Sequence, residues 1–150
     1  MKEYKQPLSV YFVYHPSVSD ETKKSVKFCY EKLQRDVEKP FSRFINIPVF
    51  YNTSNSENEI PKNIEIKSEK AIIFLLIDNN VVLSENWLTY YSEIYALMNK
   101  NDYCVIPIAI DEAALSIHYF SNLNYIRAYQ FEKTFYKENF LLQVTNTIYS

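Results

Sequence analysis

The sequence predicts an α/β fold in which helices flank a five-stranded parallel sheet. Short apolar runs bounded by turn residues alternate along the chain with stretches of helical periodicity. The run at residues 71–77 (AIIFLLI) is apolar throughout and is followed by Asp78-Asn79-Asn80, which is typical of a strand buried on both faces. With 150 residues, 47% of them hydrophobic and 17% aromatic, the chain is long enough for one domain with its own core.

The first two predicted elements are a strand at residues 8–14 and a helix that begins after Ser19. The strand is rich in β-branched and aromatic residues and stops at His15-Pro16-Ser17. Ser19 is a favourable N-cap, and apolar residues then recur at helical spacing until a proline closes the helix at position 40. Cys29 occupies one of these apolar positions, so we expect it in the core.

The second strand is predicted at residues 47–51 (IPVFY), after a connector at 41–46. Pro48 has no amide hydrogen, which places this strand at an edge of the sheet or Pro48 at its start. The polar stretch at 52–61 has no periodicity and predicts an exposed loop. A short helix or turn is expected at 62–70.

The second half of the chain predicts three more strands, at residues 71–77, 103–110 and 125–129. Cys104 falls within the second of these, and we expect it to be buried. Helices are expected at residues 85–100, 112–120 and 132–149, with Phe135 among the apolar positions of the last. Because strands and helices alternate, the expected topology is flavodoxin-like.

Composition argues against several classes of protein. The 16 basic and 18 acidic side chains are balanced without a basic cluster, so no nucleic acid partner is expected. No apolar run reaches the ~18 residues of a membrane span, and the N-terminus lacks a signal-peptide pattern, so we expect a cytoplasmic protein with no membrane partner. The chain has no glycine, so glycine-rich phosphate loops and nucleophile elbows cannot form in their usual way. The two cysteines and two histidines have no metal-ligand spacing, so no metal site is expected.

The predicted helix at residues 85–100 carries the candidate catalytic residue Glu93. At ~100° per residue, Trp87, Tyr91 and Ile94 form an apolar stripe, and Glu93 lies at its margin. One interpretation is a half-buried carboxylate close to aromatic rings and to the strand ends, where α/β proteins collect their functional groups. The other is a solvated glutamate on the outside of a helix.

Several segments of the chain together resemble the TIR (Toll/interleukin-1 receptor) domain. The apolar strand at 72–77, followed by Ser84, Trp87 and Glu93-Ile94, resembles the third strand and next helix of that family. Residues 105–111 (VIPIAID) resemble its fourth strand. Residues 11–15 with Asp20 are similar to its first strand and turn, and IPVFY with the polar loop after it is similar to its second strand and BB loop.

The resemblance implies a TIR-like domain over residues 1–150, with the alternative that it belongs to a longer protein with a sensor domain. It implies an enzyme that cleaves NAD+ at the nicotinamide–ribose bond, with NAD+ as substrate and no cofactor. Nicotinamide leaves from a pyridinium that is already positive, so one carboxylate, Glu93, could suffice by stabilising the oxocarbenium-like charge. The product, ADP-ribose or its cyclic isomer, stays open.

The resemblance also implies a biological setting. Bacterial members of the family act as effectors in anti-phage or stress responses. Their sites are often completed by a neighbouring copy, so self-association, or an activating ligand that promotes it, would control the activity.

Six further residues are candidates for holding NAD+: Tyr14, His15, Ser17, Arg43, Tyr51 and Trp87. The first three follow the first strand, where the next helix could receive phosphate at its N-terminus. Arg43 could pair with the pyrophosphate, and Trp87 could stack on a ring of the substrate. A structural interpretation stands beside each role: a turn residue for His15, a surface cation for Arg43, and core packing for Tyr51 and Trp87.

Two other functions stay open. A non-catalytic TIR scaffold would assemble with other TIR domains through the loop at 52–61, and Glu93 would be dispensable. A nucleoside deoxyribosyltransferase-like enzyme would also break an N-glycosidic bond through a glutamate, but on nucleosides. A phospho-receiver domain is disfavoured because the first strand ends in Tyr-His-Pro rather than in acids, although Asp78 could serve as a phosphoacceptor.

Overall fold

The computed structural model describes residues 8–33, 47–56, 59–62, 64, 66, 68–96, 103–117 and 125–148. Its five strands are β1 (Leu8–Val13), β2 (Val49–Asn52), β3 (Lys70–Ile77), β4 (Tyr103–Ala109) and β5 (Ile126–Arg127). They form one sheet in the order β2-β1-β3-β4-β5, and every neighbouring pair is parallel. The predicted α/β, flavodoxin-like fold is therefore confirmed.

Four α-helices accompany the strands in the described part of the chain: α1 (Asp20–Leu33), α2 (Asn79–Val82), α3 (Glu85–Ala96) and α4 (Tyr136–Ile148). Shorter 3₁₀ segments lie at Glu112–Ser116, Ala128–Gln130 and Lys133–Phe135. The one-turn helix α2 is not in the sequence prediction, which made its residues a turn. The predicted fifth strand shortens to two residues, and the described part of the helix expected at 112–120 is 3₁₀. The described residues between 62 and 69 form no helix, and the connector at 41–46 lies outside the described residues.

The core has two layers because alternate side chains of each strand point to opposite faces of the sheet. Val10 and Phe12 of β1 pack on the side of α1 and α4. Tyr11 and Val13 pack on the side of α3. Residues 73–77 of β3 are each 0% exposed, as the unbroken apolar run predicts for a central strand covered on both faces.

The second strand lies at an edge of the sheet, and Pro48 immediately precedes it. Both interpretations of the proline are thus confirmed. Its carbonyl oxygen still accepts a hydrogen bond of 2.9 Å from the Val10 amide, which links the start of β2 to β1.

The first helix begins as predicted. The Ser19 hydroxyl oxygen accepts the Thr22 amide at 3.2 Å, which is the N-cap hydrogen bond. Cys29 is 0% exposed on the buried face of α1, as its position in the helical pattern predicts.

Two predicted core residues are exposed. Cys104 lies at the amino end of β4, opposite Ile72, which is itself only half-buried, and the buried residues of β4 lie further along the strand. Phe135 is 54% exposed because it ends a 3₁₀ segment before α4 and so does not follow that helix's apolar face.

Among the described helices, none is both long and apolar enough to cross a bilayer.

Candidate active site at the carboxyl ends of the strands

The strand order reverses between β1 and β3, and a hydrogen bond links the segments that follow these two strands. Asp78 follows β3, is 5% exposed and caps α2, accepting the Val81 amide at Oδ1 (3.2 Å). Its Oδ2 accepts the Asn80 side-chain amide at 2.8 Å, and that amide also donates to the Ser17 carbonyl at 3.3 Å. In sheets of this order, ligands bind in the crevice at this reversal.

The segment after β4 is also hydrogen-bonded to the start of α2. The Oδ2 atom of Asp111 accepts the Asn79 backbone amide at 2.8 Å. Asp78 and Asp111 therefore both have their carboxylates engaged in positioning the start of α2. They hold the strand exits in place, and Asp78 in particular is too buried to meet a substrate without movement.

His15, the residue two positions after β1, is buried at 3% exposure. Its Nδ1 accepts the Ser17 amide at 3.0 Å, so that nitrogen carries no proton and the neutral ring has its proton on Nε2. Its ring centroid lies 4.9 Å from that of Trp87 on α3. His15 therefore fastens the first loop to α3, which is more than an ordinary turn residue does.

Trp87 is 1% exposed and lies in the core between the sheet and α3. Besides His15, its ring meets Tyr90 and Tyr91 edge-on, each at a centroid separation of 6.1 Å. Its indole Nε1 has no hydrogen-bond partner among the described residues. This burial agrees with the core interpretation of Trp87, and stacking on a substrate would require the packing to open.

Tyr90 connects α3 to the exit of β2. Its hydroxyl accepts a hydrogen bond from the side-chain amide of Asn52 and donates to the Lys62 carbonyl at 3.2 Å. The same Asn52 amide donates to the Lys62 carbonyl, also at 3.2 Å. Burial raises the pKa of Tyr90; the hydrogen bond from Asn52 lowers it and the negative charge of Glu93 raises it further.

Glu93 follows Tyr90 by one helical turn and is exposed to solvent. Of the two interpretations of Glu93, the half-buried carboxylate is therefore wrong, and the solvated glutamate on the outside of the helix is confirmed. The helical phase places Glu93 beside the aromatic stripe, but no described segment covers its side chain. Its negative charge is nevertheless one cause of the raised pKa of Tyr90, which lies one helical turn before it on α3.

The remaining candidate residues divide between the two faces of the sheet. Tyr14 is half-buried and Tyr51 is 41% exposed, and their rings meet edge-on at 6.4 Å. Tyr51 also lies 5.2 Å from the ring of Tyr30 on α1. Both candidates thus face α1, whereas Glu93 lies on the opposite face with α3. Ser17 is exposed at the reversal of strand order, and Arg43 lies outside the described residues.

Two features of this site were missed by sequence reasoning. Asn52 and Tyr90 are 38 positions apart, and no local pattern in the sequence indicates that their side chains bond. The capping role of Asp78 did have a signal, since an aspartate directly after a strand is a favourable helix N-cap. Among the described residues, no group of three or more His, Cys, Asp or Glu side chains could hold a metal ion.

Comparison with protein-family models, with curated proteins and with solved structures finds no significant match to this chain.

Proposed function

We propose that this chain is a TIR-type NAD+ glycohydrolase or cyclase and that Glu93 acts at the nicotinamide–ribose bond. The observation that carries the proposal is that Glu93 is an exposed carboxylate on α3, one helical turn beyond Tyr90, whose hydroxyl is hydrogen-bonded to Asn52 at the end of β2. A substrate can reach this carboxylate directly. By contrast, the acids at the exits of β3 and β4 are already engaged in hydrogen bonds to the backbone of α2.

The proposed chemistry needs few groups. The glycosidic bond to the pyridinium breaks as nicotinamide departs with the bonding electron pair, and positive charge develops on the ribose C1′ and ring oxygen. Glu93 holds the ribose hydroxyls and stabilises this charge. Water then attacks C1′ and loses its proton to give ADP-ribose, or an adenine nitrogen attacks to give the cyclic isomer.

An exposed carboxylate stabilises a cation weakly, because water screens the charge. The proposal therefore includes a second copy of the chain, whose binding covers Glu93 and excludes water. This is the physical reason to expect activation by self-association, whether spontaneous or promoted by a sensor domain or ligand. We further propose a cytoplasmic effector role in a bacterial anti-phage or stress response.

The test is NAD+ consumption and nicotinamide release by the chain at low and high protein concentration, for the wild type and for Glu93→Gln. The variant keeps the side chain's shape and removes its charge. The matched control is Glu85→Gln, which removes another exposed carboxylate from the first turn of the same helix. We expect turnover that rises faster than protein concentration, that is abolished in Glu93→Gln and that is retained in Glu85→Gln.

Full activity of Glu93→Gln would show that Glu93 is not the catalytic carboxylate. Release of free base from deoxynucleosides, with NAD+ untouched, would instead support the deoxyribosyltransferase-like alternative.

The non-catalytic scaffold is the second candidate, and one observation favours it. The edge strand β2 and the loop after it expose large apolar side chains: Phe50 is 48% exposed, Tyr51 41% and Ile60 49%. Such side chains on an edge suit association with another TIR domain. This function predicts concentration-dependent association that Ile60→Ser weakens, with no NAD+ turnover in any assembled state.

A further inference from the structure

We propose that the cavity between α1 and α4 binds a small phosphomonoester that carries free hydroxyl groups, such as a monosaccharide phosphate. The cavity has a volume of about 260 Å³. Its charged lining comes from α1, through Glu21 and Lys24, from the 3₁₀ segment before α4, through Lys133, and from the start of α4, through Lys137 and Glu138. This inference does not depend on the function proposed for Glu93, which lies on the other face of the sheet.

The three lysines supply the phosphate recognition. Lys24 stands on one wall, and Lys133 and Lys137 stand on the other, so a phosphate between them would meet ammonium groups from two separate elements. The Lys137 ammonium lies 5.0 Å from the centroid of the Phe28 ring, which holds this side chain against α1.

The two carboxylates favour a ligand that carries hydroxyl groups beside its phosphate. Glu21 and Glu138 would repel a bare or polymeric phosphate, but they accept hydrogen bonds from hydroxyl groups. A phosphate placed at the lysines, with sugar hydroxyls at the glutamates, satisfies both sets of charges. The cavity volume is below the usual range of ~300–1,000 Å³ for ligand pockets, which favours a monosaccharide phosphate over a dinucleotide.

Tyr136 also lines the cavity and is 8% exposed. Burial raises the pKa of Tyr136 to about 12; its hydrogen bond with Thr22 lowers that pKa, and the charges of Glu21 and Asp111 raise it further. Its hydroxyl therefore stays protonated at neutral pH.

The experiment is isothermal titration calorimetry of the chain with ribose 5-phosphate, with inorganic phosphate and ribose as separate probes. The test variant is the double substitution Lys24→Gln/Lys133→Gln. The matched control is Lys23→Gln, which removes a neighbouring exposed charge of α1 that does not line the cavity. Both lysines of the test variant are exposed, so we expect an unchanged melting temperature.

We expect saturable, salt-sensitive binding of ribose 5-phosphate that weakens at least about tenfold in the double variant and is unchanged in Lys23→Gln. We also expect Glu138→Gln to reduce the preference for ribose 5-phosphate over inorganic phosphate. The proposal is overturned if the wild type shows no saturable binding, if the double variant binds as well as the wild type, or if inorganic phosphate or ribose binds as tightly as the ester.

Discussion

Glu93 lies one helical turn beyond Tyr90 on α3, and its carboxylate charge contributes to the raised pKa of the Tyr90 hydroxyl. The hydroxyl itself is held by Asn52 and by the Lys62 carbonyl. An exposed acid thus lies one helical turn from a hydroxyl that is hydrogen-bonded at the exit of the edge strand.

The coupling between Glu93 and Tyr90 can be measured directly. A negative charge nearby disfavours the phenolate, so Glu93→Gln should lower the pKa of Tyr90. Burial, the larger cause, still keeps that pKa above the ordinary value of about 10. Carbon-13 NMR titration of labelled tyrosine reports it. Glu85→Gln should leave the Tyr90 titration unchanged, and an unchanged pKa in Glu93→Gln would show that the two groups are not coupled.

The buried tyrosines predict a loss of stability at alkaline pH. Tyr91 donates to the backbone carbonyls of Leu76 (2.6 Å) and Val13 (3.2 Å), and burial followed by the charge of Asp78 raises its pKa well above 10. Above about pH 10 the unfolded chain loses this proton while the folded chain keeps it, so the free energy of unfolding falls as pH rises.

Urea unfolding of Tyr91→Phe tests this linkage. At neutral pH the variant should lose about 1–3 kcal/mol, because two buried carbonyls lose a hydrogen-bond donor. Its stability should then decline less steeply than that of the wild type between pH 9 and 11. Parallel declines would show that Tyr91 does not contribute to the pH dependence.

Loss of the N-cap of α2 should disturb the loops at the strand exits more than the packing of the core. We expect Asp78→Ala to cost about 1 kcal/mol of folding free energy, since the Val81 amide loses its acceptor, and Asp78→Asn to cost less because it can still cap. Asn80→Ala should speed amide hydrogen exchange at Ser17 and Val18, because the hydrogen bond to the Ser17 carbonyl is lost. Unaltered exchange there would mean that the hydrogen bond from Asn80 does not order the loop.

Trp87 is the chain's single tryptophan, so its fluorescence separates the core and substrate-stacking interpretations. At 1% exposure, we expect a blue-shifted emission that acrylamide quenches poorly. Saturating NAD+ should leave the emission unchanged once absorption by the nucleotide is corrected. Saturable quenching by NAD+ would restore Trp87 as a substrate contact and would require the His15–Trp87 packing to open.

The two cysteines should react very differently. Cys29 is 0% exposed, and burial raises the pKa of its thiol to about 12, so it should resist a thiol reagent in the native protein. Cys104 is exposed and should react first, although partial burial raises its pKa as well. Native protein should therefore titrate one thiol, and denatured protein two. Cys104→Ser should remove the fast-reacting thiol, and reaction of Cys29 at a similar rate would show that α1 opens readily.

The sequence predicted the strands well because a central parallel strand must be apolar on both faces, and residues 73–77 follow that rule. From Pro48 it predicted that β2 lies at an edge of the sheet or begins at the proline, since an amide without hydrogen limits where a strand can lie. These predictions rest on local chemistry that every residue in the segment shares.

Other features depend on which segments of the folded chain contact a side chain, and the local sequence does not contain that information. Helical phase placed Glu93 beside the aromatic stripe, but its exposure depends on whether another segment covers α3. Cys104 sits in an apolar strand and is nevertheless exposed at the strand's amino end. The bond between Asn52 and Tyr90 joins segments that meet only after folding, so periodicity could not indicate it.

The position of β1 between β2 and β3 also bears on how the chain folds during its synthesis. This strand leaves the ribosome first, yet its two neighbours, β2 and β3, are complete only when synthesis has passed residue 77. At translation rates of about 5–20 residues per second, roughly 3–13 s pass between the completion of β1 and the completion of β3. Until then this almost wholly apolar segment lacks its β3 neighbour, so a nascent chain stalled before β3 should be a substrate for chaperones.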